Sequence, residues 1–460
     1  MSNLFKLSPR AKVVAIIAMM VTQSFIQNAS ASDDVKLANQ PKSEYRARRQ
    51  KLLEQVKDGI VVLLGAREED LGEVGRFRQK NDFMYLTGVE TPAAYFMLVP
   101  ASLAPNKTAQ ETVFIPARNP SHERWTGVQI GPGPEAVQKF GVEEVAASDS
   151  FWPRLRETLS SPAFKSGQAK LYTIIPAQET AKITRENEFI ETVRRDLPHV
   201  QITDVAPLVA EMRKVKSAAE IELLQKAIDI TGEAQRDTAR TIKPGVYEYQ
   251  VQAALEYAFM RNGAERPGFP SIVGSGINST ILHYNENRRR IEATDLVVVD
   301  IGAEYSYYTA DITRTYPAAG KFSARQREIY LLVLEAQRAA EQAFKPGEST
   351  VHSLYQVAAD VMKKSKLRDK QGRTLEKYFI HGLSHWLGMD VHDVGAYTKI
   401  PAGAVLTIEP GIYIPEESLG VRIEDDYLAT DKGLVKLSSK IPSDPDEIER
   451  IMAASGDKQR

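Results

Sequence analysis

Two stretches of this chain place acidic side chains inside segments that otherwise read as buried β-strand, and any fold of the chain must accommodate that conflict. In "DLVVVDIGAEYSYYTADITRTYP" (295–317) and "AVLTIEPGIYIPEESLGVRIEDDYLAT" (404–430), runs rich in Val, Ile, Thr and Tyr flank a tight turn. Neither turn carries an Asn-Gly type signal, so each centre is inferred from the flanking strands. A first turn centred on Tyr305 and Ser306 places Asp300 directly opposite Asp311. A second, centred on Glu416 and Glu417, places Glu409 opposite Glu424. Opposed Cβ atoms lie about 5 Å apart, where like charges repel. Val297, Val299, Ile301, Ala310 and Ile312 then occupy the other face, toward a core. Acids on a water-facing strand are common, so one such pair means little. Two pairs in one half of the chain call for positive charge between them.

A third segment supplies other donors. "HGLSHWLGMDVHD" (381–393) gathers His381, His385 and His392, three of the seven histidines. Their spacing would stack them on one helix face, but Gly382 and Gly388 disfavour a regular helix, so the segment reads as a loop. Four carboxylates with one imidazole make an oxygen-rich donor set, and the absence of cysteine rules out thiolate ligation. Such a set suits Mn²⁺, with Co²⁺, Fe²⁺ or Zn²⁺ also compatible. Two divalent ions roughly 3.5–4 Å apart would balance four carboxylate charges and acidify a shared water.

The 460 residues are enough for two to three domains, with 43% hydrophobic and 26% charged residues as in ordinary globular proteins. A net charge of −1 gives no reason to expect nucleic acid as a partner. Lys6, Arg10 and Lys12, the short apolar run "VVAIIAMMV" (13–21) and Ala29-Ser30-Ala31 form the pattern of a signal peptide cleaved before Ser32. The apolar run is shorter than the ~20 residues of a membrane span. An exported protein, periplasmic or secreted, is therefore expected, with residues 1–31 removed and no stable span left. Without cysteine it cannot use disulfides.

From 35 to 210, apolar strands ("GIVVLLG", "AYFMLVP", "TVFIPA", "KLYTIIP") alternate with amphipathic stretches, which predicts an α/β domain. Near 210 a long helical stretch begins, with Ser217 and Glu220 spaced as a capping box. Long helices and then strand pairs follow to 445, an α+β order. Residues 446–460 read as a C-terminal tail.

"VVDIGAEYSYYTADITRT", "HGLSHWLGMDVHD", "TIEPGIYI" and "VRIEDDYL" together resemble the pita-bread metallopeptidases, most closely the aminopeptidase P branch, and "FRQKNDFMYLTG" (77–88) resembles its amino-terminal domain. The resemblance implies metal ligation by Asp300, Asp311, His385, Glu409 and Glu424. "LHYNENRRR" resembles an upstream active-site motif, which implies a catalytic role for His283; the resemblance of the histidine segment implies one for His392, with His381 lining the site and Glu409 also carrying a proton. Tyr413 and Arg422 are implied in substrate binding; Arg422 also shares a face with Glu424, where it could brace a carboxylate. Met84 departs from the aromatic frequent at its position, which bears on fine contacts and not on the fold. The implied activity is release of the first residue from peptides with proline second, by a homo-oligomer. Prolidase, restricted to Xaa-Pro dipeptides, shares the ligands and stays open, as does a non-catalytic peptide-binding module.

Overall fold

A computed structural model of the chain describes residues 36–68, 76–176 and 183–454. The expected leader and its cleavage site lie outside the described residues.

The amino-terminal half is built on six strands: β1 (Gly59–Leu64), β2 (Tyr95–Val99), β3 (Gln110–Ile115), β4 (Glu144–Ala147), β5 (Lys170–Thr173) and β6 (Gln201–Asp204). They lie in the order β4-β3-β2-β1-β5-β6. The β1/β2 and β2/β3 pairs are antiparallel and the others parallel. The four apolar stretches of the sequence became β1, β2, β3 and β5. The short edge strands β4 and β6, with their polar ends, do not stand out in sequence. Alternate residues of β1 enter different cores, because side chains of a strand point to opposite faces. Ile60 and Val62 pack with Phe151, Leu155 and Phe189, whereas Val61 and Leu63 join Leu52, Phe83 and Val209. The second of these cores runs on through Leu224, Tyr308 and Leu387, so the two halves share apolar packing.

The carboxy-terminal half carries helices α1 (Ala218–Thr241), α2 (Glu248–Arg261), α3 (Ala324–Ala343) and α4 (Val351–Lys364). The Ser217–Glu220 capping box is formed, and it starts α1 after a break at Val215 and Lys216. The helices cover a curved set of strands: β7 (Ile272–Ser275), β8 (Leu296–Ile301), β9 (Ala303–Tyr305), β10 (Tyr308–Thr309), β11 (Ile312–Pro317), β12 (Val405–Ile408), β13 (Gly411–Ile414), β14 (Leu419–Arg422), β15 (Asp425–Thr430) and β16 (Gly433–Lys436). Sheets β7-β8-β11, β12-β15-β16 and hairpin β13-β14 form the body of this half.

The first acidic hairpin differs from the expected register. Asp300 pairs with Thr313 and Ile301 with Ile312. Tyr305 pairs with Tyr308, so the turn is Ser306-Tyr307, both at positive φ (49° and 73°). That is a two-residue primed turn without glycine. Tertiary bonds hold it: Asn39 Nδ2 donates to Ser306 Oγ at 2.6 Å, Ser306 N to Glu265 Oε2 at 2.9 Å, and Tyr307 OH to Glu90 Oε1 at 3.0 Å. Asp311 is thus a diagonal neighbour of Asp300 and not its opposite. The two-residue shift leaves both on one face, because side-chain direction repeats every second residue. In the second hairpin Gly411 pairs with Arg422 and Ile408 with Asp425, a register that sets Glu409 across from Glu424.

Residues expected to form a tail begin instead with helix α5 (Pro445–Ala453), whose Ile448 and Met452 are buried. Its apolar side packs beside α1 and α3 and closes the core. Among the described residues no helix is long and apolar enough to cross a membrane.

Candidate metal centre and catalytic cavity

The two hairpins are joined edge to edge. Glu424 N donates to Thr313 O at 3.1 Å, and Arg422 N to Thr315 Oγ1 at 3.1 Å. The histidine segment then runs antiparallel to β12: Leu387 N bonds Val405 O, Thr407 N bonds His385 O, and Glu409 N bonds Leu383 O. This irregular strand, and not a helix, sets His385 beside Glu409 and over the acids of both hairpins. His385 Nε2 lies 3.4 Å from Asp311 Oδ2, 3.5 Å from Glu409 Oε1 and 3.9 Å from Glu424 Oε1. Its Nδ1 lies 3.1 Å from Trp386 O, which turns Nε2 toward the carboxylates.

Asp311, His385 and Glu424 offer ligand atoms all within 4.8 Å of one another, and all three are buried. Burial first, and then the Asp300 charge, pushes the Asp311 carboxyl well above its usual range. Burial and the Asp311 charge do the same to Glu424. Burial raises Glu409 to about 7, against the pull of His385 and Arg422. Oδ1 of Asp300 and Oδ1 of Asp311 are buried without any hydrogen-bond partner. Unpaired buried acceptors of this kind are costly unless a cation meets them. The donor set and its two orphaned oxygens therefore fit divalent metal, with His385, Asp311, Glu409 and Glu424 on one side and Asp300 beside them.

These residues line a cavity of about 520 Å³. His283 and His392 stand exposed at its mouth with ring centroids 6.5 Å apart, and His392 lies 4.3 Å from the ring of His385. Burial and the neighbouring His385 lower the His392 pKa. Phe269, Pro270, Ile272, Leu282 and Val391 supply an apolar wall.

His381, Tyr413 and Arg422 form a relay beside this wall. Arg422 Nη1 donates to Tyr413 OH at 2.9 Å, and Tyr413 OH lies 2.8 Å from His381 Nε2. His381 Nδ1 lies 2.8 Å from Gly382 O. A consistent network has the tyrosine donating to Nε2 and Nδ1 donating to the carbonyl. Burial, with Arg422 second, lowers His381 to about 4, so its ring is neutral. Both nitrogens have partners, and His381 lines the cavity as the resemblance implied. Tyr413 is 2% exposed and is not among the residues lining the cavity; its hydroxyl links Arg422 to His381. Arg422 does line the cavity and braces a carboxylate: Nη2 donates to Asp300 Oδ2 at 2.8 Å and Nε to Thr313 Oγ1 at 3.1 Å. Trp386 is fully buried and stacked on Tyr397. His122, His199 and His352 lie away from the centre.

Sequence reasoning missed Thr313 and Asp426. Thr313 Oγ1 donates to Glu424 Oε2 at 2.7 Å, and Asp426 Oδ2 accepts from Asp311 N at 3.2 Å. Thr313 was findable, because it lies two residues from Asp311 on the same strand face.

The amino-terminal half reaches this site through Arg78 and Asn81. Arg78 Nε contacts both Glu304 oxygens at 3.0 Å, and Asn81 Nδ2 donates to Met389 O at 3.1 Å, within the histidine segment.

A buried cluster of carboxylates and imidazole in a walled cavity, with orphaned acceptor oxygens, defines a metal-dependent enzyme. Residues 222–431 match the metallopeptidase family M24 and residues 45–165 match the aminopeptidase P N-terminal domain. The chain is 34% identical over 442 residues to the Xaa-Pro aminopeptidase of Escherichia coli (strain K12), covering 90% of this chain and 98% of that one. It is also 34% identical over 443 residues to the Xaa-Pro aminopeptidase of Haemophilus influenzae, again covering 90% of this chain and 98% of that one. Among solved structures, Zn-substituted E. coli aminopeptidase P in complex with product superposes with a TM-score of 0.79 at 31% identity, covering 90% of this chain and 98% of that one. Proline aminopeptidase P II from Yersinia pestis gives 0.80 at 32%, covering 90% and 99%. The chain belongs to the aminopeptidase P family of M24 metallopeptidases.

Proposed function

We propose that this protein releases the amino-terminal residue from peptides with proline in the second position, using two divalent metal ions, most suitably Mn²⁺. The observation that carries the metal part is the buried set of Asp300, Asp311, His385, Glu409 and Glu424 with two partnerless oxygens. Its oxygen-rich chemistry favours manganese over softer-ligand metals. Bound there, a pair of ions would supply Lewis-acid polarisation of the scissile carbonyl and an activated water.

The chain's own residues supply the rest. His283 and His392, at the mouth, are placed to donate hydrogen bonds to the carbonyl oxygen of the substrate as it gains charge. Glu409, a ligand carboxyl that lines the cavity beside His385, is the acid suited to pass a proton to the departing nitrogen. Arg422 holds Asp300 in place. The apolar wall of Phe269, Leu282 and Val391 suits a proline ring, whose missing N–H needs no acceptor. Curated relatives named Xaa-Pro aminopeptidase support this specificity. Export, read from residues 1–31, belongs to the same proposal and is checked by whether mature protein starts at Ser32.

Incubating metal-loaded enzyme with Ala-Pro-Ala-Ala-Ala and with Ala-Ala-Ala-Ala-Ala tests the proposal. Mass spectrometry should show free alanine and a shortened peptide from the first only. Equal cleavage of both would reject proline selection.

A further inference from the structure

A second recess opens on the far side of His381. It has a volume of about 710 Å³ and shares His381 and Gly382 with the catalytic cavity as common wall. Its other walls include Val351, Tyr355, Phe379, Ile380 and Tyr397, and no Lys, Arg, Asp or Glu is among its lining residues. Its floor is aromatic: Tyr355 stacks on Phe379 with centroids 5.0 Å apart, and Phe379 meets His381 edge-on at 5.2 Å. Ile380 and Tyr397 are 59% and 57% exposed, an apolar rim that water disfavours.

We infer that this groove is a subsite for an apolar or aromatic side chain of the peptide substrate downstream of the proline. The inference rests on the aminopeptidase reading above. A peptide whose first two residues are fixed at the metal centre extends outward at about 3.3–3.6 Å per residue, and the groove adjoins the catalytic cavity across the shared His381–Gly382 edge. The recess on the His392 side is a poorer exit for apolar residues. It is smaller, about 390 Å³, and is walled by Arg78, Glu304 and Asp390, which are already paired with one another or with Arg213. A groove lined by aromatic and apolar side chains, with His352 at its edge and no Lys, Arg, Asp or Glu, discriminates mainly by buried apolar area and by ring stacking. The committed His381 ring serves both spaces: one side bounds the catalytic cavity, and its edge contact to Phe379 ends the aromatic floor.

A phenylalanine walk tests it. Ala-Pro-Phe-Ala-Ala, Ala-Pro-Ala-Phe-Ala and Ala-Pro-Ala-Ala-Phe are compared with Ala-Pro-Ala-Ala-Ala by kcat/KM, in wild type and in Ile380→Ser and Tyr355→Ser. One Phe position should raise kcat/KM about tenfold, mainly through KM. Each variant should bring that ratio back toward 1 within its own data set, which corrects for any general loss of activity. Ile380 is largely exposed, so its variant should fold even if Tyr355→Ser does not. A flat walk in wild type, or a ratio unchanged in Ile380→Ser, would overturn the subsite while leaving the aminopeptidase reading intact. No cleavage of the all-alanine Ala-Pro peptide would instead remove the reading on which the subsite rests.

Discussion

Arg422 Nη2 lies 2.8 Å from Asp300 Oδ2, and the arginine is 3% exposed. It is the only Lys or Arg among the described residues lining the catalytic cavity. Its single planar fork also engages Thr313 and Tyr413, a geometry that lysine cannot copy. Replacing Arg422 with Met should therefore leave Asp300 as an unpaired buried charge and cost about 3 kcal/mol in the chelated protein. Denaturant unfolding with chelator checks this. Added divalent ions should recover a larger share of stability in the variant than in wild type, since they replace the lost positive charge. Stability unchanged in chelator would show that the pair does not hold the site.

The raised carboxyls give the metal-free protein a defined pH dependence. Asp311 and Glu424 are pushed well up, and Glu409 to about 7. Between the ordinary carboxyl range near 4 and these values, the folded chain holds protons that the unfolded chain has released. Folding stability then falls as pH rises through that window. Bound cations stabilise the ionised forms and oppose the loss. The gain in Tm on adding Mn²⁺ should be larger at pH 8 than at pH 5; a gain that is larger at pH 5 would contradict the burial of these groups as acids.

Tyr413→Phe removes one oxygen and both relay bonds. His381 loses the donor to Nε2, and Arg422 loses an acceptor. Because this residue is not among those lining the cavity, metal content should stay at the wild-type level while kcat falls about 10- to 100-fold, as for other groups that orient a site from behind. Loss of metal together with activity would place Tyr413 in ligand support instead.

The loop carrying His392 is pinned from outside the cavity. Arg213 contacts Asp82, Asp390 and Asp393 at 2.7, 2.6 and 2.5 Å, and Lys216 reaches Asp393 at 3.0 Å. Asp82 belongs to the amino-terminal half, so this network ties that half to the residues flanking His392. Arg213→Met should destabilise the protein by about 3–5 kcal/mol and lower kcat of the folded fraction. Full kcat per folded molecule, measured well below the melting temperature, would show that the network is structural only.

Much of this site was legible because strand alternation and residue chemistry are local. Asp300 and Asp311 share a face whichever even shift their hairpin adopts, as do Glu409 and Glu424 in theirs, so the first pair stayed on one face although its turn centre was misplaced. The first register itself was not legible. Its turn depends on bonds from Asn39, Glu265 and Glu90, all remote in sequence. His381 was placed at the site only by the family resemblance, since nothing in its local spacing sets it apart from the other histidines of its segment. Its partners Gly382 O and Tyr413 OH, and the burial that lowers its pKa, come from the tertiary fold and not from the segment. Helix α5 passed for a tail because its apolar residues number few, and their partners on α1 and α3 lie a hundred or more residues away.

Metal content read alongside activity tests the central claim most directly. Wild-type protein, and variants Asp311→Ala and His385→Ala, are stripped with chelator, dialysed against Mn²⁺ and analysed by elemental mass spectrometry, with hydrolysis of Ala-Pro-Ala-Ala-Ala followed on the same samples. The account predicts two ions per wild-type chain, no activity in stripped enzyme, recovery on reloading, and loss of both metal and activity in each variant. Stripped wild-type enzyme or Asp311→Ala protein that cleaves the peptide at the wild-type rate would contradict it.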